Sequence, residues 1–259
     1  MELTNSIYIA GVTGTGKTYG ACKLVRDLGL RAVVIDFENK FKKNVKVNFG
    51  DCSDIFEWYI GYVKRESSRT SFSLTKNNKM MSCSTEALGL KNTPDWEKSY
   101  MYLVELVEGL INRVDYDVLI FDGASPVLRN DLGLAQWKLN NPDRDNPNPE
   151  EWGPMNDIES MFIRGGIAWA EENNKLFVLI GQMKDEYKGG KKVKDVPALN
   201  MKQQHPIDVS LQLEKYIGFD KTTYKCTCLD SPRGQWVENL TFDRHIIDVL
   251  VEKELIGYD

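Results

Sequence analysis

The stretch Gly11-Val12-Thr13-Gly14-Thr15-Gly16-Lys17-Thr18 constrains the fold of this chain more than any other feature. It matches the pattern G-x-x-x-x-G-K-[ST] at every position, and it directly follows the short apolar run Ile7 to Ala10. Such a loop works between a buried strand and a helix. Its glycines let the backbone bend so that several N–H groups converge on a phosphate, and the helix N-terminus behind them adds the positive end of its dipole. In this pattern Lys17 supplies a mobile charge to the β- and γ-phosphates, and Thr18 offers its hydroxyl to Mg²⁺. Gly11 to Thr18 is therefore read as the binding loop for ATP with Mg²⁺.

The rest of the chain agrees with the fold such a loop demands. The sequence has 259 residues, which suits one large α/β domain, and 42% of them are hydrophobic, enough for a buried core. Lys17 to Leu28 reads as a helix closed by Gly29, and Arg31 to Asp36 (RAVVID) as a second buried strand. Asp54 to Val63 reads as an amphipathic helix. Residues 64–92 are polar and aperiodic, an excursion from the core. Trp96 to Val114 has helical spacing, with Tyr100, Leu103, Val104, Val107 and Ile111 on one face. Val118 to Phe121 is a third strand, ending at Asp122. Gly123 to Pro154 reads as a long mobile loop with an acidic, turn-rich centre. Asn156 to Glu172 is a helix and Lys175 to Ile180 a fourth strand. Asp185 to Gln204 is a Lys/Gly-rich loop, Val209 to Tyr216 and Thr222 to Cys228 are later strands, and Asp243 to Lys253 is a last helix. Strands alternating with helices imply a three-layer α/β sandwich with a mostly parallel central sheet, one domain over 1–259.

Several classes of function are set aside by composition. No run approaches the roughly 18 apolar residues of a membrane span. MELTNSIYIAG has no basic n-region, so it is not read as a signal peptide. The five cysteines, Cys22, Cys52, Cys83, Cys226 and Cys228, are odd in number and scattered. Cys226-Thr-Cys228 lacks the second pair or nearby histidine of a zinc site, so the cysteines read as reduced thiols of a cytoplasmic protein. With a net charge of −5, binding to nucleic acid requires a local basic patch.

A P-loop needs an acid to hold the metal, and Asp122 closes the apolar run VLIF in the manner of a Walker B strand. The residue after it is Gly123, where many motors carry a catalytic glutamate. The water-activating acid must then come from elsewhere. In a parallel sheet the carboxyl ends of all strands gather at the P-loop edge. Glu38, in VVIDFEN, lies just beyond the second strand and is the candidate; Asp36 is its rival, but its position suits closing the strand.

Ile35-Asp36-Phe37-Glu38, the strand ending at Asp122 without a following glutamate, and Phe177 to Ile180 leading through Gly181 to Gln182 together resemble the RecA/RadA superfamily. The block PEEWGPMNDIESMF…LFVLIGQMKDEY is most similar to small viral RecA-like ATPases, especially phage single-strand annealing proteins of the Sak type. These are shortened RecA cores without RecA's N-terminal oligomerisation segment. The resemblance implies that Glu38 activates water and that Gln182 senses the γ-phosphate and opens a DNA-binding loop. It implies a homo-oligomer, ring or filament, whose neighbouring subunit supplies a cation, with Lys225, Arg233 and Arg244 as possible donors.

The loop after Gln182 carries Lys184, Lys188, Lys191, Lys192, Lys194 and Lys202 against Asp185, Glu186 and Asp195, with Gly189-Gly190 for mobility and Tyr187 for stacking. A basic flexible loop can track the backbone of single-stranded DNA. The 64–92 stretch, with Lys64, Arg65, Arg69, Phe72, Lys76, Lys79 and Lys91, is a second candidate surface. His205 and His245 are far apart, and His205 before Pro206 reads as structural. The leading function is a Mg²⁺-dependent ATPase acting on single-stranded DNA in viral recombination, annealing or replication. A packaging or remodelling motor, a P-loop nucleotide kinase and a nucleotide-gated binding module are the alternatives.

Overall fold

Alternate residues of the central strands send their side chains to opposite faces, and this alternation builds the domain in three layers. The structure, a computed structural model, describes residues 4–64, 72–76, 79–83, 94–124, 127–144, 146–199, 207–217, 222–230 and 240–242. In chain order, β1 (Ser6–Gly11) is followed by α1 (Lys17–Asp27), β2 (Ala32–Asp36), α2 (Phe41–Phe49), β3 (Phe56–Ile60), β4 (Val63–Lys64), β5 (Phe72–Lys76), β6 (Lys79–Cys83), β7 (Pro94–Asp95) and α3 (Trp96–Ile111). Then come β8 (Val118–Asp122), a π-helical stretch (Val127–Leu132), α4 (Gly133–Asn140), α5 (Trp152–Asn173), β9 (Leu176–Gly181), β10 (Met183–Lys188), β11 (Lys191–Pro197), β12 (Val209–Ile217), β13 (Thr222–Asp230) and β14 (Leu240–Phe242).

The central sheet has eight strands in the order β14-β13-β12-β1-β9-β8-β2-β3. From β12 to β3 all neighbours are parallel. β13 and β14 are added antiparallel at one edge. On one face Ile7, Ile9, Val34, Ile120 and Val178 pack against Ala21, Leu24 and Val25 of α1 and Phe41 and Val45 of α2. On the other, Tyr8, Val33, Ile35, Leu119, Phe121, Phe177 and Leu179 pack against α3, the π-helical stretch and α5 through Leu103, Leu128, Ile163 and Ile167. Both faces are covered, which explains why the strands read as unbroken apolar runs. Full burial of a side chain such as Ile120 stabilises the fold by about 1.5–3 kcal/mol.

The strand order decides what meets at the P-loop. β9 lies between β1 and β8, so the chain leaving β9 emerges between the P-loop and Asp122. The register aligns Asp36 with Asp122, Asp122 with Ile180, and Ala10 with Gly181, so these strands end together.

The structure corrects four expectations. Residues 54–63 are β3 and β4, not a helix. FEWYI is aromatic and short, and it pairs in parallel along β2 as the edge strand of the sheet. The stretch 123–154 is largely helical, with Leu128, Leu132, Ala135 and Trp137 buried where the turn-rich sequence suggested a loop. On α3 the expected face holds at Leu103, which is buried, and at Tyr100, Val104 and Val107, which pack against the core, but fails at Ile111, which is exposed, while Ser99 and Leu110 are buried. The Lys/Gly-rich segment is a β-hairpin, β10–β11, rather than a loop. Within 64–92 the described parts are Lys64, which ends β4, and the β5–β6 hairpin. The last helix, at 243–253, lies outside the described residues. Among the described residues no helix is long and apolar enough to cross a membrane.

Candidate functional site

The P-loop is shaped by positive φ angles that side chains disfavour. Gly14 and Gly16 have φ of 83° and 87°. A Cβ at Gly11 would lie 2.6 Å from Thr15 Oγ1 and 2.7 Å from the Leu213 carbonyl oxygen. Thr15, buried, donates its hydroxyl to the Val12 carbonyl at 2.9 Å and braces the turn from within. Gly16 is the N-cap of α1 and has no side chain to cap it, so the first N–H groups of the helix are turned to the loop, ready for an anion. Lys17 Nζ donates to the carbonyls of Gly11 at 2.7 Å and Val12 at 3.1 Å. Burial lowers the Lys17 pKa, and the Glu38 and Asp122 carboxylates oppose that shift.

Thr18 Oγ1 donates toward both Asp122 oxygens, at 3.2 and 3.1 Å. Asp122 is 5% exposed. Burial pushes its pKa up to about 7, and the negative charges of Asp36 and Glu38 add to the rise. Three carboxylates face one edge, and a divalent cation there would relieve their repulsion. One hydroxyl and one carboxylate form a donor set that suits Mg²⁺, which keeps water and phosphate oxygens for its other positions.

Asp36 ends β2 and turns its carboxylate into the following bend. It accepts from the Glu38 N–H at 3.0 Å and the Phe41 N–H at 2.7 Å, capping α2. Burial raises its pKa against those hydrogen bonds. Its geometry is that of a residue fixing the 36–41 turn. Glu38, free of such work, leans over Gly123 toward the end of β9, where Gln182 Nε2 donates to its Oε1 at 2.7 Å. Gly123 has φ of 79°, and a Cβ there would come within 2.6 Å of Glu38 Cγ. The glycine after Asp122 therefore makes the space that Glu38 fills. Burial disfavours the Glu38 charge, but hydrogen bonds from Lys40 and Gln182 outweigh it and hold its pKa below the ordinary glutamate value.

The β10–β11 hairpin leaves directly from Gln182, whose carbonyl accepts from the Ala198 N–H at 2.8 Å and closes the hairpin's base. Its turn, Gly189-Gly190, has φ of 58° and 76°, the pattern of a tight two-residue hairpin turn. Lys184, Lys191, Lys192 and Lys194 are exposed, and Lys188 is aligned with Lys191. Lys192 pairs with Asp185 at 2.7 Å and Asp195 at 2.8 Å, and Lys194 with Glu186 at 3.6 Å. The hairpin thus neutralises part of its own positive charge. Lys202, His205, Arg233, Arg244 and His245 lie outside the described residues, as do Arg65, Arg69 and Lys91. Lys225 is described, on β13 opposite Glu214. Cys22, Cys52 and Cys226 are buried free thiols.

Sequence reasoning missed Lys40, whose ammonium lies 2.9 Å from Glu38 Oε2. It stands two positions beyond Glu38 and opposite in charge, but only the turn through Asn39, at φ of 54°, brings the two side chains together. A cleft of about 410 Å³, lined by Arg31, Phe56, Glu57, Trp58, Arg113 and Tyr116, lies at the other edge of the sheet, where β2 and β3 begin. It shares no residue with the P-loop site.

No protein-family model matches the chain, and no curated protein matches it. Among solved structures it is similar to the flagellar accessory protein FlaH from Methanocaldococcus jannaschii, at 12% identity over 93% of this chain and 86% of that one, with a TM-score of 0.48. It is also similar to the KaiC-like protein PH0186 from Pyrococcus horikoshii OT3, at 11% identity over 92% and 85%, with a TM-score of 0.49.

Proposed function

We propose that this chain is a Mg²⁺-dependent ATP hydrolase with a RecA-like core, in which Glu38 orients and deprotonates the attacking water. One observation carries the reading: Glu38 and Gln182, 2.7 Å apart, meet over Gly123 at the edge where the P-loop, Thr18 and Asp122 converge. Lys17 exchanges its carbonyl partners for phosphate oxygens and bears part of the charge that develops on them. Mg²⁺, held by Thr18 and Asp122, supplies further positive charge to those oxygens when bound. Asp36 keeps the backbone of Glu38 in place. Gln182 reports on the terminal phosphate, and its backbone bond to Ala198 carries the report into the β10–β11 hairpin. Phosphate release from ATP should require Mg²⁺ and vanish in Lys17→Ala; release at the wild-type rate in that variant would end the proposal.

The partner we propose is single-stranded DNA, in viral recombination, annealing or replication, with the chain acting as a homo-oligomer. Its support is the resemblance to RecA-like annealing proteins and the position of the lysine-bearing hairpin beyond Gln182. Lys225 is the described candidate for a cation given to a neighbouring subunit. Affinity for single strands should fall with salt, with a log–log slope of roughly 0.7 per phosphate neutralised. Lys188, Lys191, Lys192 and Lys194 changed together to alanine should weaken binding and flatten that slope. Because Lys192 and Lys194 already have acidic partners in the hairpin, each should contribute less to the loss than a fully solvated lysine would. Unchanged affinity and slope would remove the hairpin from DNA binding.

A further inference from the structure

Both oxygens of the Glu38 carboxylate are engaged. Oε1 accepts from Gln182 at 2.7 Å, and Oε2 accepts from Lys40 at 2.9 Å. A general base needs a carboxylate oxygen for its water, and an ammonium on that oxygen makes it a poorer acceptor and a weaker base. The 36–41 backbone is fixed by the two hydrogen bonds to Asp36, and Asn39 holds the turn at φ of 54°. With that backbone fixed, Lys40 and Glu38 part by side-chain rotation, most freely that of the long Lys40 side chain. That side chain is 63% exposed and that of Glu38 31%. An ion pair this open to water is weak and readily exchanged. Lys40 is also near enough to Lys17 for the two ammonium groups to repel, and it feels the charges of Asp36 and Asp122. A polyanion seated on the P-loop would draw Lys40 as well as Lys17.

We propose that Lys40 exchanges between the Glu38 carboxylate and the terminal phosphate of a nucleoside triphosphate on the P-loop, so that Glu38 is released to water only when that phosphate is present. The proposal rests on the reading of Glu38 as the base. Lys40 restrains Glu38 and, on release, adds to the binding of a triphosphate but not of a diphosphate. Its effect is to tie activation of the base to the substrate and to suppress the site when product is bound.

The test is equilibrium binding of ADP and of a non-hydrolysable ATP analogue to wild type, Lys40→Met, Lys40→Arg, Glu38→Gln and the Lys40→Met/Glu38→Gln double variant, with steady-state hydrolysis alongside. Lys40→Met should weaken the ATP analogue about five-fold, leave ADP within about two-fold, and raise KM without lowering kcat. Lys40→Arg, which keeps the charge, should retain most of the discrimination. Glu38→Gln discharges the partner of Lys40 and should strengthen the ATP analogue about two- to five-fold without changing ADP. That gain should be absent from the double variant. Equal weakening of both nucleotides in Lys40→Met would mark a merely structural residue and overturn the exchange. So would a Glu38→Gln gain that persists without Lys40. Normal hydrolysis by Glu38→Gln would instead overturn the role of Glu38 as base, while the binding measurements still decide whether Lys40 meets the terminal phosphate.

Discussion

Both edges of the parallel sheet carry clustered charge, but one edge settles it and the other does not. Where the strands begin, Arg113 forms paired hydrogen bonds with Glu57 at 3.0 and 2.8 Å and with Asp115 at 2.9 and 2.8 Å. Tyr59 adds a hydroxyl to Glu57, and the guanidinium lies over the Tyr116 ring. The carboxylates there are pulled down, Asp115 to about 2, by the bonds from Arg113. Where the strands end, Asp36 and Asp122 are buried together and both pKa values are pushed up, while that of Lys17 is pushed down. Charges left in conflict inside a fold mark where a ligand is needed to resolve them. The open cleft beside Arg113 is the more visible feature, but its Arg113, Glu57 and Asp115 already pair with one another.

The comparison breaks most readily at Gly123. Gly123→Ala introduces a methyl where Glu38 Cγ lies and a side chain at positive φ. If Glu38 acts as the proposed base, hydrolysis should fall by about 10²-fold, because a displacement of an ångström is enough for that. Nucleotide affinity should change far less. A Gly123→Ala enzyme with normal kcat in a phosphate-release assay would mean that Glu38 does not work from this position.

Asp122→Asn probes the unsettled edge through stability. The folded pKa of Asp122, about 7, lies above the unfolded value of about 4, so the fold binds the proton more tightly. Wild-type stability from this group is therefore lost as pH rises from about 4 to about 7, and stays lower above that. Asparagine cannot ionise. The variant should match wild type near pH 4 and exceed it by about 1–4 kcal/mol at pH 8 in denaturant unfolding without Mg²⁺, while losing Mg²⁺-dependent hydrolysis. A gain that does not depend on pH would show that Asp122 is not ionising against its surroundings.

The settled edge should respond least. Arg113→Met removes one partner of a half-exposed ion-pair cluster and should cost about 0–1 kcal/mol, decreasing with salt, with hydrolysis unchanged. A large fall in hydrolysis from this variant would make the amino edge part of the function and erase the contrast.

Much of the active edge was legible because its residues sit at the ends of strongly apolar strands. VLIFD and KLFVLIGQ fix where Asp122 and Gln182 must emerge, and parallel strands bring those ends to the P-loop. Glu38 followed from the absence of an acid after Asp122, but the reason for Gly123 did not, since it depends on a contact between residues far apart in sequence. Lys40 was hidden similarly, by a turn whose shape rests on Asp36 and on the positive φ of Asn39. β3 was mistaken because Ile55, Phe56, Trp58 and Tyr59 are apolar on both faces, and a five-residue strand gives too few repeats to fix a period. α2, by contrast, shows Phe41, Val45 and Phe49 four apart and could have been found. The helices of 127–140 were obscured by the turn-rich sequence that follows them.

The most direct test of the account is Glu38→Gln, measured for ATP binding and for single-turnover hydrolysis with Mg²⁺. The amide keeps the size of the side chain and can still bond to Gln182, but it cannot take a proton from water. Binding should persist and the hydrolysis step should slow by about 10²–10⁴-fold. Hydrolysis at the wild-type rate, particularly if Asp36→Asn bound ATP and were inactive, would contradict the assignment and make Asp36 the carboxylate that acts on water.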